Sequence, residues 1–283
     1  AVLLSFLPYP LALASWMAGT GWLFAKACRR WWPKEAGPHW LVLLTPAALV
    51  NMWAGHYGFL LGALFLFGWQ ALDRAPVKAG ILFGCMLIKP HLAIMVAVAL
   101  LVRRAWAAIA AGLTTVVLLL LSTSLLFGWQ SWWQFVTLVG PTQSAMIDAG
   151  DNLFGLMSTS LATALLRWPV PLPLALAAQM VVAVAALAAV AVAAGRGARP
   201  RDLALLAATC TFLALPYAFN YDLTVVALGA AIAWVRASGW EERAVAGAAL
   251  LAPGLGMLLA LADVPFIPLA LGALAAVQFR QAT

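Results

Sequence analysis

The 283 residues of the chain are 65% hydrophobic and only 9% charged. Soluble domains carry about 25% charged residues, so a soluble fold is excluded, and Ala- and Leu-rich runs that contain Gly and Pro predict membrane-spanning helices rather than an outer-membrane barrel. The net charge of +7 comes from single and paired Lys and Arg at the ends of apolar runs, so it indicates topology and does not predict nucleic-acid binding.

The chain is predicted to cross the membrane about eleven times. Residues 2–28 are long enough for the first span, because a helix needs about 20 apolar residues to cross a bilayer. The basic loop that follows is typical of the cytoplasmic side. In chain order, the predicted spans are residues 2–28, 40–50, 57–72, 79–88, 91–102, 106–127, 174–194, 203–215, 223–235, 244–261 and 266–277. The predicted fold is therefore an all-α, polytopic transmembrane bundle, with residues 1–283 as a single domain.

Residues 128–168 do not fit a full span. Aromatic and apolar residues recur at helical spacing between positions 129 and 136, which predicts a helix that lies in the membrane interface. Residues 153–168 predict a re-entrant or interfacial helix, because a crossing there would force the arginine-rich loop at 196–201 outside.

With these spans, all basic residues except Lys89 and Arg167 lie on the cytoplasmic side. The Lys89 ammonium ends an apolar run just before Pro90 and has no aqueous loop beside it. One interpretation is that this side chain snorkels to the outer headgroups. The other is that the ammonium binds a phosphate.

His56 and His91 end neighbouring apolar runs on the same predicted side as Lys89. Each imidazole is either an interfacial hydrogen bonder or a group that holds a phosphate or polarises a sugar hydroxyl. A metal site is not favoured, because the two histidines have no DxD or ExxE pattern nearby. No cofactor is predicted.

Further polar residues at this rim are candidate substrate-binding residues: Asn51, Asn220, Asp222, Asp151 and Asn152. The Asp222 carboxylate lies at a proline-broken helix junction, where it either caps the next helix or binds sugar hydroxyls or Lys89. Asp148 and Asp151 lie in a glycine-containing loop, which is either a solvated connection or a gate over a substrate.

Four short motifs carry a family resemblance: Ala54-Gly55-His56 before an apolar helix, AGILFG at 79–84 leading to Lys89-Pro90, Pro8-Tyr9-Pro10, and PYAFNYD at 216–222. Through them the chain resembles glycosyltransferase family 87, polytopic enzymes of the GT-C class that include polyprenyl-phosphate-mannose-dependent α-mannosyltransferases. His56 departs from the family pattern, which has Gly-Gln followed by Asn at this point.

The resemblance implies an inverting transfer of a sugar, mannose, from a polyprenyl-phosphate donor to a lipid-linked or cell-envelope glycan at the extracytoplasmic face of the plasma membrane. Its partners would be the donor, the acceptor and membrane lipids. Lys89 would bind the donor phosphate, with His91 or His56 assisting. The general-base aspartate of GT-C enzymes follows their first span, so the resemblance places it upstream of Ala1 and leaves the catalytic base unknown.

The alternative function is a non-enzymatic transporter or lipid flippase, which would show two similar halves and polar residues at mid-membrane. No convincing internal repeat is found, and the polar candidates gather at one rim, which favours an enzyme acting at that face. A structural membrane subunit, for which the polar rim would be a coincidence, is a third interpretation.

Overall fold

The computed structural model describes residues 2–139 and 153–283, and within these ranges the chain is helical. The α-helices in chain order are α1 (Tyr9–Cys28), α2 (Pro46–Ala54), α3 (Gly58–Ala71), α4 (Pro76–Gly84), α5 (Ile94–Val102), α6 (Trp106–Phe127), α7 (Gln130–Gln134), α8 (Leu153–Met157), α9 (Leu161–Leu166), α10 (Leu172–Gly195), α11 (Pro200–Ala214), α12 (Thr224–Arg236), α13 (Trp240–Ala260) and α14 (Phe266–Ala282). The prediction of an all-α fold is confirmed for the described residues.

Three of the described helices are long and apolar enough, by length and composition, to cross a membrane, namely α6, α10 and α13. Other predicted spans consist of shorter helices that are joined to tighter turns. The 3-10 turns are Val2–Phe6, Lys34–Ala36, His39–Leu44, Cys85–Ile88, Pro90–Ala93 and Asn220–Asp222, and a π-helical turn covers Phe135–Val139. The count of about eleven spans therefore stays a prediction.

A tight break separates α2 from α3. The Thr45 side chain caps the start of α2 by accepting a hydrogen bond from Ala48 N at 3.4 Å. Gly55 has a φ of +65°, and glycine adopts this left-handed conformation at a helix end without steric cost. The sequence analysis places the break at residues 51–56, but Asn51 lies inside α2, because no glycine or proline interrupts that helix before Gly55.

A second break separates α4 from α5 at Lys89, which lies between two 3-10 turns with a φ of −139° and a ψ of 77°. Pro90 has no N–H group and disfavours helical backbone at the residue before it. The two segments on either side are thus a broken pair of helices, as their short length predicts. The break leaves the Lys89 side chain free to point into the bundle.

Residues 153–168 form two short helices, α8 and α9, instead of the single re-entrant or interfacial helix that the sequence predicts. The Ser160 side chain caps α9 by accepting a hydrogen bond from Thr163 N at 3.1 Å, which fixes a new helix start at that point. Just before it, Thr159 N donates to Ala218 O at 2.9 Å. This corner is therefore tied to the segment that connects α11 with α12.

Helices α11 and α12 form the centre of the bundle, since nearly all their side chains are buried. Helix α11 packs against α5, α10 and α14, and α12 packs against α3 and α13. A helix that is apolar on every side is stable only when neighbours cover it. The connection between the two helices, residues 215–223, is therefore held in the middle of the fold, next to both helix breaks.

Candidate active site

The two helix breaks and the α11–α12 connection meet at a buried ion pair. Lys89 Nζ lies 2.7 Å from Asp222 Oδ2 and 3.0 Å from Oδ1, so the ammonium donates to both carboxylate oxygens. The Asp222 side chain is 3% exposed and the Lys89 side chain is 14% exposed, so the lysine is the more accessible member of the pair. The carboxylate does not cap α12, which begins at Thr224 without a side-chain cap.

An aromatic stack borders the ion pair. Lys89 Nζ lies 4.7 Å from the centroid of the Tyr221 ring, which is a cation–π distance. The His56 imidazole stacks on the same ring, with 4.0 Å between centroids and 15° between planes. Phe219 stacks on Tyr221 as well, at 5.2 Å. Tyr221 is buried, and it joins the break after α2 to the break at Lys89.

His56 lies in the connection between α2 and α3, outside both helices. Its Nδ1 atom is buried and makes no hydrogen bond to the described residues. Burial, followed by the positive charge of Lys89, lowers the pKa of His56 from 6.5 to about 4. The imidazole is therefore neutral at pH 7 and offers one hydrogen-bond donor and one acceptor.

Buried polar contacts hold the break after α2 against the backbone of Tyr221. The Asn51 side chain accepts a hydrogen bond from Gly58 N at 3.0 Å through Oδ1, and Thr224 Oγ1 donates to Gly58 O at 3.0 Å. A Cβ atom at position 58 would overlap the carbonyl oxygen of Tyr221. Glycine is therefore required for this close approach, and Asn51 acts on the backbone that carries the site.

Asn220 braces the other side of the same connection. Its Nδ2 atom donates to the carbonyl oxygen of Pro253 in α13 at 2.7 Å, and the side chain is fully buried. Asn51 is fully buried too. Both candidate substrate-binding asparagines thus have their side chains in packed protein, where they position backbone next to the ion pair.

An apolar groove of about 570 Å³ lies between α10, α11 and α14. It begins at Thr159, whose N–H bonds to Ala218 beside the aromatic stack. Alanine and glycine make up nearly half of its lining residues, and such small side chains leave room for a chain-like molecule. One of the helices that line it, α10, is long and apolar enough, by length and composition, to cross a membrane.

More than half of the chain matches one known family. The sequence model of glycosyltransferase family 87 matches residues 1–216. The chain belongs to glycosyltransferase family 87. It is therefore a membrane glycosyltransferase with a sugar donor and an acceptor. No curated protein and no solved structure matches the chain.

The match ends inside the candidate site of this glycosyltransferase. Asn51, His56 and Lys89 lie within the matched residues, whereas Tyr221 and Asp222 lie beyond them. The ion pair therefore joins a residue of the matched region to a residue of the C-terminal part of the chain.

The remaining candidates of the glycosyltransferase make no hydrogen bond to the ion pair or lie outside the described residues. His91 is exposed, and its imidazole makes no hydrogen bond to the described residues. Asp148, Asp151 and Asn152 lie outside the described residues. Within residues 2–139 and 153–283, no group of three or more His, Cys, Asp or Glu side chains could hold a metal ion.

The sequence analysis assigns no role to the aromatic residues of the connection. Tyr217, Phe219 and Tyr221 alternate at a spacing of two, and side chains at this spacing lie on one face of an extended backbone. Their rings contact one another in series, with 4.8 Å between the centroids of the first two. The alternation was visible in the sequence, but the partners of these rings were not.

Proposed function

We propose that this glycosyltransferase transfers a sugar, mannose, from a polyprenyl-phosphate donor to a lipid-linked or cell-envelope glycan acceptor at the extracytoplasmic face of the plasma membrane. The observation that carries the proposal is the Lys89–Asp222 pair, in which a buried carboxylate fixes the ammonium of a partly exposed lysine side chain where two helix breaks meet. Irregular backbone at membrane depth occurs where it lines a cavity, and ionisable groups there mark binding sites.

The role of Lys89 follows from where charge develops. In the proposed reaction an acceptor hydroxyl oxygen bonds to the anomeric carbon, and the bond from that carbon to the phosphate oxygen breaks. The bonding electrons leave with polyprenyl phosphate, so negative charge grows on the phosphate, and a fixed cation aimed at that charge lowers the barrier. Of the three N–H donors of the ammonium, two bind Asp222, and the third is free for the phosphate.

Asp222 is a positioning residue in this proposal. Both its oxygens accept from Lys89, and its side chain is 3% exposed, so it is not placed to take a proton from a sugar hydroxyl. It holds the ammonium in one orientation and offsets the cost of burying a charge. The proton of the acceptor passes to a general base, which the family resemblance implies to be an aspartate other than Asp222.

His56 is the proposed second group at the donor phosphate. Its ring is stacked on Tyr221 next to Lys89, and as a neutral imidazole it can donate an N–H to a phosphate oxygen without repelling the ammonium. His91, two residues after Lys89 and exposed, is a further candidate for the same phosphate. Asp151 and Asn152 are proposed sugar contacts on the grounds of sequence alone.

The apolar groove supports a lipid donor. It starts at Thr159 near the aromatic stack and continues between membrane-depth helices, as a tail attached to a phosphate at Lys89 would require. Burying a prenyl chain there removes its apolar surface from water, and this removal stabilises binding by about 25 cal/mol per Å². The donor phosphate and its tail would thus occupy adjoining parts of one site.

The proposal is tested by replacing Lys89 with methionine, which keeps the length of the side chain and removes the charge. Vesicles that contain the full protein are supplied with polyprenyl-phosphate mannose, and transfer to glycan acceptor is measured. We expect kcat/KM to fall by about 100-fold or more. Lys78→Met, at an exposed lysine of α4, is the matched control and should leave transfer unchanged. Unaltered transfer by the Lys89 variant would remove this residue from the mechanism.

A further inference from the structure

A second large cavity, of about 810 Å³, shares no lining residue with the groove and lies between the loop after α1 and helices α12 and α13. Its floor is apolar and its rim carries two opposite charges. Leu41, Leu44, Leu250 and Leu251 line the floor. None of its lining residues belongs to the candidate active site.

Two tryptophans form the walls of this cavity. Trp32 is fixed by a hydrogen bond from its Nε1 to Gly37 O at 2.9 Å. Trp234 is 47% exposed, and its ring lies against α13 at Gly247, where a Cβ atom would come within 2.8 Å of the ring. Tryptophan is enriched where membrane helices meet the headgroup region, so the cavity opens at that depth.

The two charges at the rim are Glu35, in the 3-10 turn Lys34–Ala36, and Arg243, in the first turn of α13. Both side chains are exposed, and neither forms an ion pair with the described residues. One cavity is therefore lined by a carboxylate and a guanidinium as well as by apolar side chains, and the two charges do not pair with each other or with other described residues.

We propose that this cavity binds a zwitterionic phospholipid with a primary amine, of the phosphatidylethanolamine class. Guanidinium groups bind phosphate through charge-assisted hydrogen bonds, so Arg243 takes the lipid phosphate. The ammonium of the headgroup donates hydrogen bonds to the Glu35 carboxylate, and an acyl chain covers the leucine floor. A choline headgroup has no N–H donor for the carboxylate, and an anionic headgroup is repelled by it.

The lipid lies in the cytoplasmic leaflet, because both Glu35 and Arg243 belong to loops that the distribution of basic residues assigns to the cytoplasm. It would join the start of α13 to the loop after α1 at the end of the bundle opposite the candidate active site. This inference does not depend on the proposed transfer reaction, and it concerns a different ligand.

The test uses the purified full chain and three lipids with identical oleoyl chains, which carry ethanolamine, choline or glycerol headgroups. Native mass spectrometry measures how much of each lipid stays bound. We expect the ethanolamine lipid to be retained about threefold to tenfold better than the other two, as one charge-assisted hydrogen bond predicts. Equal retention of the ethanolamine and choline lipids, or the best retention for the glycerol lipid, would overturn the proposal.

Two variants separate the roles of the charges. Glu35→Gln should bring retention of the ethanolamine lipid down to that of the choline lipid, and Arg243→Gln should weaken both lipids alike. Arg30→Gln is the matched control, because Arg30 is exposed, lies in the same basic loop and does not line the cavity. All three variants alter exposed side chains, so folding is checked by their thermal transitions. A Glu35 variant that behaves like the control would contradict the assignment of the amine.

Discussion

The Lys89–Asp222 pair predicts that stability and activity respond differently to single and double substitutions. Asp222→Asn removes the counter-charge of Lys89, whose side chain is 14% exposed. The charged contacts of Nζ with the two carboxylate oxygens, at 2.7 and 3.0 Å, are lost. Breaking a buried pair on one side costs about 3 to 5 kcal/mol, and the partial exposure of Lys89 sets the expected cost near 3 kcal/mol. The unfolding equilibrium should then shift by more than about 100-fold.

The double substitution Lys89→Met with Asp222→Leu removes both charges and keeps similar volumes. Such replacements are about neutral for stability, or stabilising by about 1 to 4 kcal/mol. We therefore expect the double variant to recover most of the stability lost in Asp222→Asn. Sugar transfer should stay lowered by about 100-fold or more, as in Lys89→Met alone, since the ammonium is gone. Chemical unfolding in detergent micelles and the vesicle transfer assay measure the two quantities.

The Arg167–Asp263 pair is the matched control. Its nitrogen and oxygen atoms lie 3.0 Å apart, but the Asp263 side chain is 53% exposed, and exposed pairs contribute about 0 to 1 kcal/mol. Asp263→Asn should therefore change stability little. If the double variant at positions 89 and 222 is as unstable as Asp222→Asn, or if it transfers sugar as fast as the unsubstituted protein, the reasoning about the buried pair is refuted.

Three further outcomes are expected. Gly58→Ala should destabilise the protein by about 1 to 3 kcal/mol and reduce transfer, because the new methyl group meets the backbone of Tyr221. Gly19→Ala, at a position with open space, should have neither effect. Equal thermal transition temperatures for the two variants would contradict this prediction. Stability should rise with pH between about 4 and 6.5, since the pKa of His56 is lowered to about 4 and the unfolded chain binds more protons in that window; a pH profile of thermal unfolding that His56→Gln leaves unchanged would count against it. Gly272→Leu, which fills open space in the apolar groove, should raise the KM for long prenyl donors more than for short ones, whereas Gly19→Leu should affect neither.

The sequence predicted that Lys89, His56 and Asp222 lie on one side of the bundle, because nearly all other Lys and Arg residues fall in the loops of the opposite side. That placement requires only the topology of the spans. Whether Asp222 caps a helix or pairs with Lys89 depends on the distance between these two side chains, which belong to residues 133 positions apart. No pattern within either segment carries that information.

Other features could not be predicted from the sequence because they depend on local packing. The position of Asn51 inside α2 follows from the end of the helix at Gly55, whereas its contact with Gly58 depends on how tightly α3 returns against the Tyr221 backbone. The groove consists of small or ordinary apolar side chains on separate helices, and the second cavity adds two tryptophans and two charged residues from separate elements. Neither set of residues stands out in the sequence, because only the packing of neighbouring elements brings its members together.

The wide spacing between Lys89 and Asp222 has a consequence for biogenesis. At synthesis rates of about 5 to 20 residues per second, the ribosome adds the 133 residues that separate them over roughly 7 to 27 seconds. For that time the nascent chain carries an ammonium near the membrane whose counter-ion does not yet exist. The insertion machinery, or the lipid headgroups around it, must compensate that charge until Asp222 emerges.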